Sequence, residues 1–159
     1  MPLITPNIWF DTQAMEAAEC YVSIFPNSTI DEVSYYGPDS PGPEGEIMSV
    51  NFTLDGQPFT GINGGPMFQP DEAISFLINC ADQAEIDRYW EALTADGGEE
   101  SQCGWLKDRF GVSWQVVPAN WAELAAGPDR ERANRAMQAV FGMRKIDIAA
   151  IEAAADGAT

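Results

Sequence analysis

The sequence predicts an α+β fold built from two tandem βαβββ units and completed by C-terminal helices. The predicted elements run strand, helix and three strands, and this order then occurs a second time, which is a topological repeat although the two halves differ in sequence. After Pro118 the pattern becomes helical. The length of 159 residues suits one domain, so we expect a single domain over residues 1–159.

The first unit is predicted over residues 4–63. A strand signal at its start is followed by Asp11, a residue type that caps helices. A Pro/Gly-rich loop over 37–45 precedes a hairpin around Asp55 and Gly56, a strong turn signal. The predicted elements are a strand over 4–10, a helix over about 12–25, and strands over 29–36, 46–54 and 57–63. The apolar face predicted for the helix consists of Met15, Ala18, Val22 and Phe25.

The second unit is predicted over residues 73–118, and a helical tail over about 120–155. Asp82 and Glu85 have the spacing of a capping box, and Asp147 is expected to cap the last helix. The predicted elements of the unit are a strand over 73–80, a helix over about 83–94 with Ile86, Trp90 and Leu93 inside, and strands over 99–103, 105–109 and 112–117. Those of the tail are helices over 120–126, 129–142 and from Asp147 onward.

Charge and cysteine content limit the partners and the compartment. The chain has 25 acidic and 8 basic residues and a net charge of −17, which argues against nucleic acid or an anionic membrane as a partner. The acidic surface would attract a cationic ligand, or it serves solubility alone. We predict no transmembrane helix and no signal peptide. Three widely spaced cysteines indicate thiols in a reducing cytoplasm.

The sequence contains no histidine, which excludes several kinds of active site. Neither a Ser-His-Asp nor a Cys-His site can be built, and no metal site can use imidazole. No P-loop and no dinucleotide-binding motif occurs either. We therefore predict no cofactor.

Several segments together carry a family resemblance that covers nearly the whole chain. The longest, GGEESQCGWLKDRFGVSWQVVP, has an unusual composition. The others are ITPNIWFD, SIFPNS, LDGQPF, NGGP, RYWEAL and AMQAVFGMRKIDIAAIEAA. On these segments the chain resembles the PhnB-like, demethylubiquinone-methyltransferase-like group of the vicinal oxygen chelate superfamily. Glyoxalase I, extradiol dioxygenases and bleomycin-resistance proteins belong to that superfamily.

The resemblance implies a curled sheet in each unit whose concave face lines a cavity, and it implies a homodimer. Together with the alternation along the strands, it predicts a set of residues that bind a small-molecule ligand. The set is Asn7, Trp9, Ser49, Asn51, Phe59, Asn63, Ser75, Leu77 and Gln115.

Asn7, Asn63, Ser75 and Gln115 lie nearest the positions that hold metals in the superfamily. All four are neutral, and Met67 stands where many relatives have histidine. Divalent first-row metals prefer imidazole, thiolate or carboxylate. We therefore predict no metal site.

Three functions remain open. The first is a small-molecule binding protein, one version of which sequesters a cationic drug. The second is an enzyme with a weakly bound metal or with a carboxylate or thiol. Its candidate residues are Glu100, with Glu99 beside it, and Cys103, and each has a structural alternative. The third is a methyltransferase acting on a demethylubiquinone-like substrate. It is disfavoured, because the sequence shows no glycine-rich loop for S-adenosylmethionine.

Overall fold

The computed structural model describes residues 2–157, which divide into two compact units with the boundary after Pro70. Each unit contains one four-stranded mixed sheet and a helix packed on one face of that sheet. The α+β class and the repeated order of strand, helix and three strands are therefore confirmed.

Unit 1 has the strand order β1-β4-β3-β2. β1 pairs with β4 in parallel, and the other pairs are antiparallel. The predicted hairpin is confirmed, and its two turn residues, Asp55 and Gly56, have φ angles of 45° and 80°. The elements of this unit are β1 (Asn7–Phe10), α1 (Ala14–Ile24), β2 (Thr29–Tyr35), β3 (Ile47–Leu54) and β4 (Gln57–Asn63).

The start of α1 differs from the sequence prediction. Asp11 does not cap the helix; Gln13 occupies the cap position and makes no side-chain cap hydrogen bond. Instead, the backbone N–H of Ala14 donates to the side-chain oxygen of Asn63 at 2.8 Å. Asn63 is the last residue of β4, so the helix is capped by a strand that follows it by 49 residues in the chain.

The buried face of α1 is also rotated from the predicted one. The predicted face was wrong because most of it is only half-buried; the fully buried positions are Ala14, Ala17, Ala18 and Tyr21. A Cβ placed on Gly61 of β4 would lie 3.1 Å from the Cβ of Ala14. The helix therefore approaches the sheet so closely that small side chains, rather than large apolar ones, occupy its inner face.

Unit 2 repeats the topology of unit 1, with the strand order β5-β8-β7-β6 and a parallel pair between β5 and β8. The predicted capping by Asp82 is confirmed, since its side chain accepts from the N–H of Glu85 at 2.9 Å. Ile86, Trp90 and Leu93 are buried as predicted. The elements are β5 (Ser75–Cys80), α2 (Gln83–Thr94), a 3₁₀ turn (Ala95–Gly97), β6 (Glu99–Glu100), β7 (Trp105–Lys107) and β8 (Ser113–Pro118).

A buried carboxylate holds the turn between β7 and β8. Asp108 is 5% exposed. Its Oδ1 accepts from the backbone N–H groups of Phe110 and Val112 at 2.9 and 3.0 Å, and its Oδ2 accepts from the indole N–H of Trp114 at 2.8 Å. These bonds replace the hydration that a buried charge would lose.

The helical tail belongs to unit 2 and packs within it. The backbone oxygens of Met143 and Arg144 accept from the N–H groups of Cys103 and Gly104 at 2.8 and 2.7 Å. Asp147 caps the last helix as predicted, through the N–H of Ala150 at 3.0 Å. The tail helices are α3 (Trp121–Ala126), α4 (Arg130–Phe141) and α5 (Ile148–Ala155). No helix within residues 2–157 has the length and apolar character needed for a membrane span.

Candidate ligand-binding cleft

A cleft of about 830 Å³ opens at one end of the sheet of unit 1. Its base is formed where β1 and β4 end and β3 begins, and one wall comes from the loop between β2 and β3. Trp9 and Asn63, both predicted as ligand-binding residues, lie in its lining. The remaining lining residues are Asp11, Thr12, Tyr36, Pro41, Gly42, Pro43, Glu46, Ile47, Met48, Ile62, Gly64 and Gly65.

Trp9 is held in one position by the segment that follows β4. Its indole N–H donates to the backbone oxygen of Gly65 at 2.9 Å. The ring of Phe68 meets the indole edge to face, with a centroid separation of 5.2 Å. A Cβ on Gly64 would lie 2.2 Å from the indole ring, so only glycine leaves room for the ring there. The indole is therefore a fixed aromatic surface of the cleft.

Tyr36 fixes the loop that forms the opposite wall. Its hydroxyl donates to the backbone oxygen of Asn63 at 2.5 Å. Its backbone N–H donates to the oxygen of Glu46, and its backbone oxygen accepts from Gly45, both at 2.9 Å. A Cβ on Gly42 would lie 2.4 Å from the Tyr36 ring. The loop thus folds back onto this ring and brings its prolines to the cleft.

The polar atoms in the walls are mostly used within unit 1. The Asn63 amide accepts from Ala14 and donates to the backbone oxygen of Ile47 at 3.1 Å. The Trp9 indole and the Tyr36 hydroxyl have the partners described above. What the cleft offers a ligand is therefore aromatic and aliphatic surface, together with the carboxylates of Asp11 and Glu46.

The other predicted residues of unit 1 lie outside the cleft lining. Asn7, Ser49 and Asn51 share the face of the sheet opposite α1, and each is hydrogen-bonded within the unit. Phe59 is different, because it is 6% exposed and stacks on the core residue Phe52 with ring centroids 5.5 Å apart. Its predicted place on the concave face is corrected to the helix-covered face.

The three predicted residues of unit 2 lie together on the face of its sheet opposite α2. The side-chain N–H₂ of Gln115 donates to the hydroxyl of Ser75 at 2.9 Å. Leu77 is the register partner of Gln115 and is 43% exposed. None of the three lines the cleft of unit 1, so their role in ligand binding stays a prediction.

The two candidate catalytic residues lie in different environments. One carboxylate oxygen of Glu100 accepts from the indole N–H of Trp90 at 2.8 Å, and the other lies 3.8 Å from Arg144 Nη1. Cys103 is half-buried in a turn with φ of 58°. The two basic residues nearest to Cys103 in the sequence form ion pairs with acids, Lys107 with Glu72 and Arg109 with Asp96.

Several cleft residues were not among the predicted site residues. Tyr36 and the loop prolines reach the cleft only because the loop folds back, and periodicity does not describe loops. Along β3, Met48 alternates in step with the buried Val50 and Phe52, yet it is 37% exposed and lines the cleft. The sequence feature that could have indicated this wall is the density of prolines and glycines over 37–45. Such a density is typical of a rigid loop, which keeps its position beside the cleft.

Two βαβββ units, each with a helix on one face of a mixed sheet and the other face uncovered by it, have the fold of the vicinal oxygen chelate superfamily. Comparison with known proteins agrees with this class. The chain belongs to the family described as 3-demethylubiquinone-9 3-methyltransferase, whose model matches residues 2–117. No curated protein matches the sequence significantly.

Solved structures show which proteins the chain resembles. A putative 3-demethylubiquinone-9 3-methyltransferase, PhnB protein, from Bacillus cereus is 34% identical, with 74% of this chain and 100% of that chain covered and a TM-score of 0.67. Protein PA1353 from Pseudomonas aeruginosa is 25% identical, with coverages of 74% and 98% and a TM-score of 0.61. The fosfomycin resistance protein FosX from Listeria monocytogenes, complexed with Mn(II) and sulfate, is 14% identical, with coverages of 77% and 93% and a TM-score of 0.51. This last similarity shows the fold alone.

The residues present do not fit a transition-metal site of the kind that the superfamily implies. The side-chain oxygen of Asn63 is taken by the N–H of Ala14, and the hydroxyl of Ser75 by Gln115. Among residues 2–157, no group of three or more acidic or cysteine side chains is placed to hold a metal ion. Neutral amides and hydroxyls that already have partners are weak ligands for such metals.

Proposed function

We propose that this PhnB-like protein binds a small molecule in the cleft of unit 1. The volume of about 830 Å³ lies within the range of ligand pockets, which are mostly apolar with few polar groups. The observation that carries the proposal is the internal use of the wall's polar atoms, those of Trp9, Tyr36 and Asn63. Their hydrogen bonds fix the walls without a ligand, so binding needs little reorganisation.

The lining favours a ligand with an apolar or aromatic body and a positive charge. Trp9 and Tyr36 provide aromatic surface, which attracts cations as well as planar groups. Asp11 and Glu46 add two carboxylates, and the whole chain carries −17. These features support the cationic-drug version of the binding hypothesis, which the bleomycin-resistance resemblance also suggests.

A comparison of matched ligands tests this proposal. A library containing aromatic amines and their neutral isosteres is screened by thermal shift, and the hits are titrated by calorimetry. We expect binding to weaken in Met48→Gln, which makes the cleft wall polar, and to persist in Met67→Gln. Met67 is 76% exposed and lies outside the lining. Ligands that bind both variants equally would place the site elsewhere.

A methyltransferase is the second candidate function, because the matching family and the Bacillus cereus relative carry that name. The sheets of both units are mixed and four-stranded. They differ from the doubly wound parallel sheet that supports a glycine-rich cofactor loop. Gly64 and Gly65 follow β4, where they pack against and bind Trp9. Calorimetric titration with S-adenosylmethionine tests this function, and saturable binding would favour the methyltransferase.

An enzyme with a carboxylate or thiol remains a weaker alternative. Its candidates, Glu100 and Cys103, lie in unit 2. The hydrogen bond from Trp90 to Glu100 supports a structural role for that carboxylate. Turnover of a bound ligand that is lost in Glu100→Gln or Cys103→Ser, while binding is retained, would favour the enzyme.

The assembly and the compartment are also proposals. The superfamily resemblance supports a homodimer, which sedimentation equilibrium at several protein concentrations would test. The three cysteines, all within residues 2–157, form no disulfide. This supports a reducing compartment such as the cytoplasm, and fractionation of the source cells would test it.

A further inference from the structure

Ser113 has a buried hydroxyl for which the described part of the chain supplies no hydrogen-bond partner. The residue is 1% exposed and begins β8. Its register partners are Ser75 on one side and Lys107 on the other, but the hydroxyl of Ser75 is bonded to Gln115. An unpartnered buried hydroxyl costs about 1–3 kcal/mol. Alanine would occupy the same place without this cost. A ligand that forms a hydrogen bond with the hydroxyl would remove the cost.

Ser113 is one of the residues that line a small cleft within unit 2, which we call the Ser113 cleft. Its volume is about 110 Å³. Liquid water occupies about 30 Å³ per molecule, so the cleft has room for a group of only a few heavy atoms. The residues that matter for its chemistry are Ser113, Lys107, Glu72, Glu99 and Trp105.

The charges of the lining determine which kind of ligand group the Ser113 cleft can bind. The lining contains three carboxylates and one ammonium group, that of Lys107. Lys107 forms an ion pair with Glu72, whose carboxylate raises the pKa of Lys107, while the hydrogen bond from Lys107 lowers the pKa of Glu72. That ammonium is therefore already compensated. Glu100 is engaged by Trp90 and Arg144. Glu99, the register partner of Lys107, also acts on that ammonium through its charge, but one ammonium among three carboxylates leaves the lining negative overall.

Other classes of ligand fit less well. An anion would meet a net negative lining. A divalent metal requires several hard or soft donors at short range, and residues 2–157 contain no cluster of three acidic or cysteine side chains suited to one. A neutral alcohol would satisfy the hydroxyl of Ser113 without using Glu99 or the half-buried indole of Trp105.

We propose that the Ser113 cleft binds a small primary ammonium group. Its N–H groups donate to the hydroxyl oxygen of Ser113 and to the carboxylate of Glu99. The indole of Trp105 attracts the same charge. The site lies within unit 2, and the proposal does not depend on the function proposed for the cleft in unit 1.

Methylammonium chloride is the probe, and methanol and potassium chloride are the controls. The titration is followed on the full chain, at constant ionic strength, through the indole N–H resonance of Trp105 and the backbone amide resonance of Ser113. We expect a saturable shift with methylammonium alone. An equal saturable shift with methanol or potassium, or the absence of any saturable shift, would overturn the proposal.

Two pairs of variants locate the site. Ser113→Ala and Glu99→Gln should each weaken binding by about tenfold or more, because each removes a charge-assisted hydrogen bond. Ser101→Ala changes an exposed serine of the same lining, and Glu91→Gln changes an acidic residue of α2 outside it. Both control variants should bind as the unmodified protein does. Unchanged binding of methylammonium in Ser113→Ala and Glu99→Gln would contradict the assignment of the site to the Ser113 cleft.

The stability of Ser113→Ala supplies a readout that does not depend on the probe. Without a ligand, removal of an unpartnered hydroxyl should leave the free energy of unfolding unchanged or raise it. Saturating methylammonium should stabilise the unmodified protein more than the variant, because only a ligand that prefers the folded state raises stability. Equal stabilisation of both would contradict the role of Ser113.

Discussion

The side-chain oxygen of Asn63, at the end of β4, lies 2.8 Å from the backbone nitrogen of Ala14, where α1 begins. The same amide donates to the backbone oxygen of Ile47 at 3.1 Å. One side chain thus joins the last strand of unit 1 to the first turn of its helix and to β3. It also lines the candidate cleft, so the position of the cleft wall depends on this cap.

Asn63→Ala should lower the free energy of unfolding by about 1–2 kcal/mol, the usual cost of losing a helix cap. The loss of the bond to Ile47 adds to this effect. Urea titration followed by circular dichroism measures it. Asn7→Ala is the matched control, since Asn7 is exposed and its side-chain N–H₂ donates locally, to the oxygen of Thr5; we expect a change within about 0.5 kcal/mol there. Equal effects in the two variants would show that the cap contributes nothing specific.

The helix caps show which parts of the fold the sequence could predict, because some caps are local in the chain and one is long-range. Asp82 and Asp147 were predicted correctly because each caps a helix within three residues of itself. The turn at Asp55 and Gly56 is equally local. The cap from Asn63 crosses 49 residues, and no spacing rule connects such positions. The inner face of α1 was missed for the same reason, since it depends on the approach of Gly61 from another strand.

The candidate cleft was only partly predictable. Strand alternation can indicate which side chains of β1 share a face with Trp9. It could not show that the loop over 37–45 folds onto Tyr36 and supplies a wall. Phe59 lies on the helix-covered face, because a difference of one position along a strand transfers a side chain to the opposite face of a sheet. The alternation of side chains along a strand can therefore be predicted from the sequence, whereas the folding of a loop onto a neighbouring side chain cannot.

Gly64→Ala should displace the indole of Trp9, because the added Cβ would lie 2.2 Å from the ring. The expected result is a large shift of the Trp9 indole N–H resonance, together with weaker binding of any ligand of the unit 1 cleft. Gly37→Ala is the control, since a Cβ at Gly37 has no atom within 4 Å. A Trp9 resonance that stays unchanged in Gly64→Ala would mean that the ring is not confined by this residue.

Asp108→Ala should destabilise unit 2 strongly, by about 3 kcal/mol or more, because it leaves three buried N–H groups without an acceptor. Asp108→Asn should also lower stability, because both carboxylate oxygens accept from N–H groups. The side-chain N–H₂ of asparagine would replace one of these oxygens and face an N–H donor. Asp156→Ala removes an acid that is 65% exposed and paired with Arg132, and surface pairs of this kind contribute little. Thermal unfolding of the three variants gives the comparison. A small effect in both Asp108 variants would contradict the importance of this turn.

Cys80 should be inert in the folded protein and should make stability fall at alkaline pH. Burial raises the pKa of its thiol from an ordinary value of 9.0 to about 12. The unfolded chain therefore ionises first, and the stabilisation present below pH 9.0 is lost as the pH rises toward about 12. Native protein should react with iodoacetamide at Cys20 or Cys103, which are half-buried, and at Cys80 only after denaturation.

Cys80→Ala separates this ionisation from the other groups that titrate at high pH. The variant should be less stable than the unmodified protein near neutral pH, because it leaves a small cavity at a fully buried position. The difference in free energy of unfolding should narrow as the pH rises above 9.0, because only the unmodified protein loses the contribution of a neutral thiol. Urea midpoints measured across this pH interval test both statements, and a constant difference for Cys80→Ala would show that its thiol ionises equally easily in the folded and unfolded states.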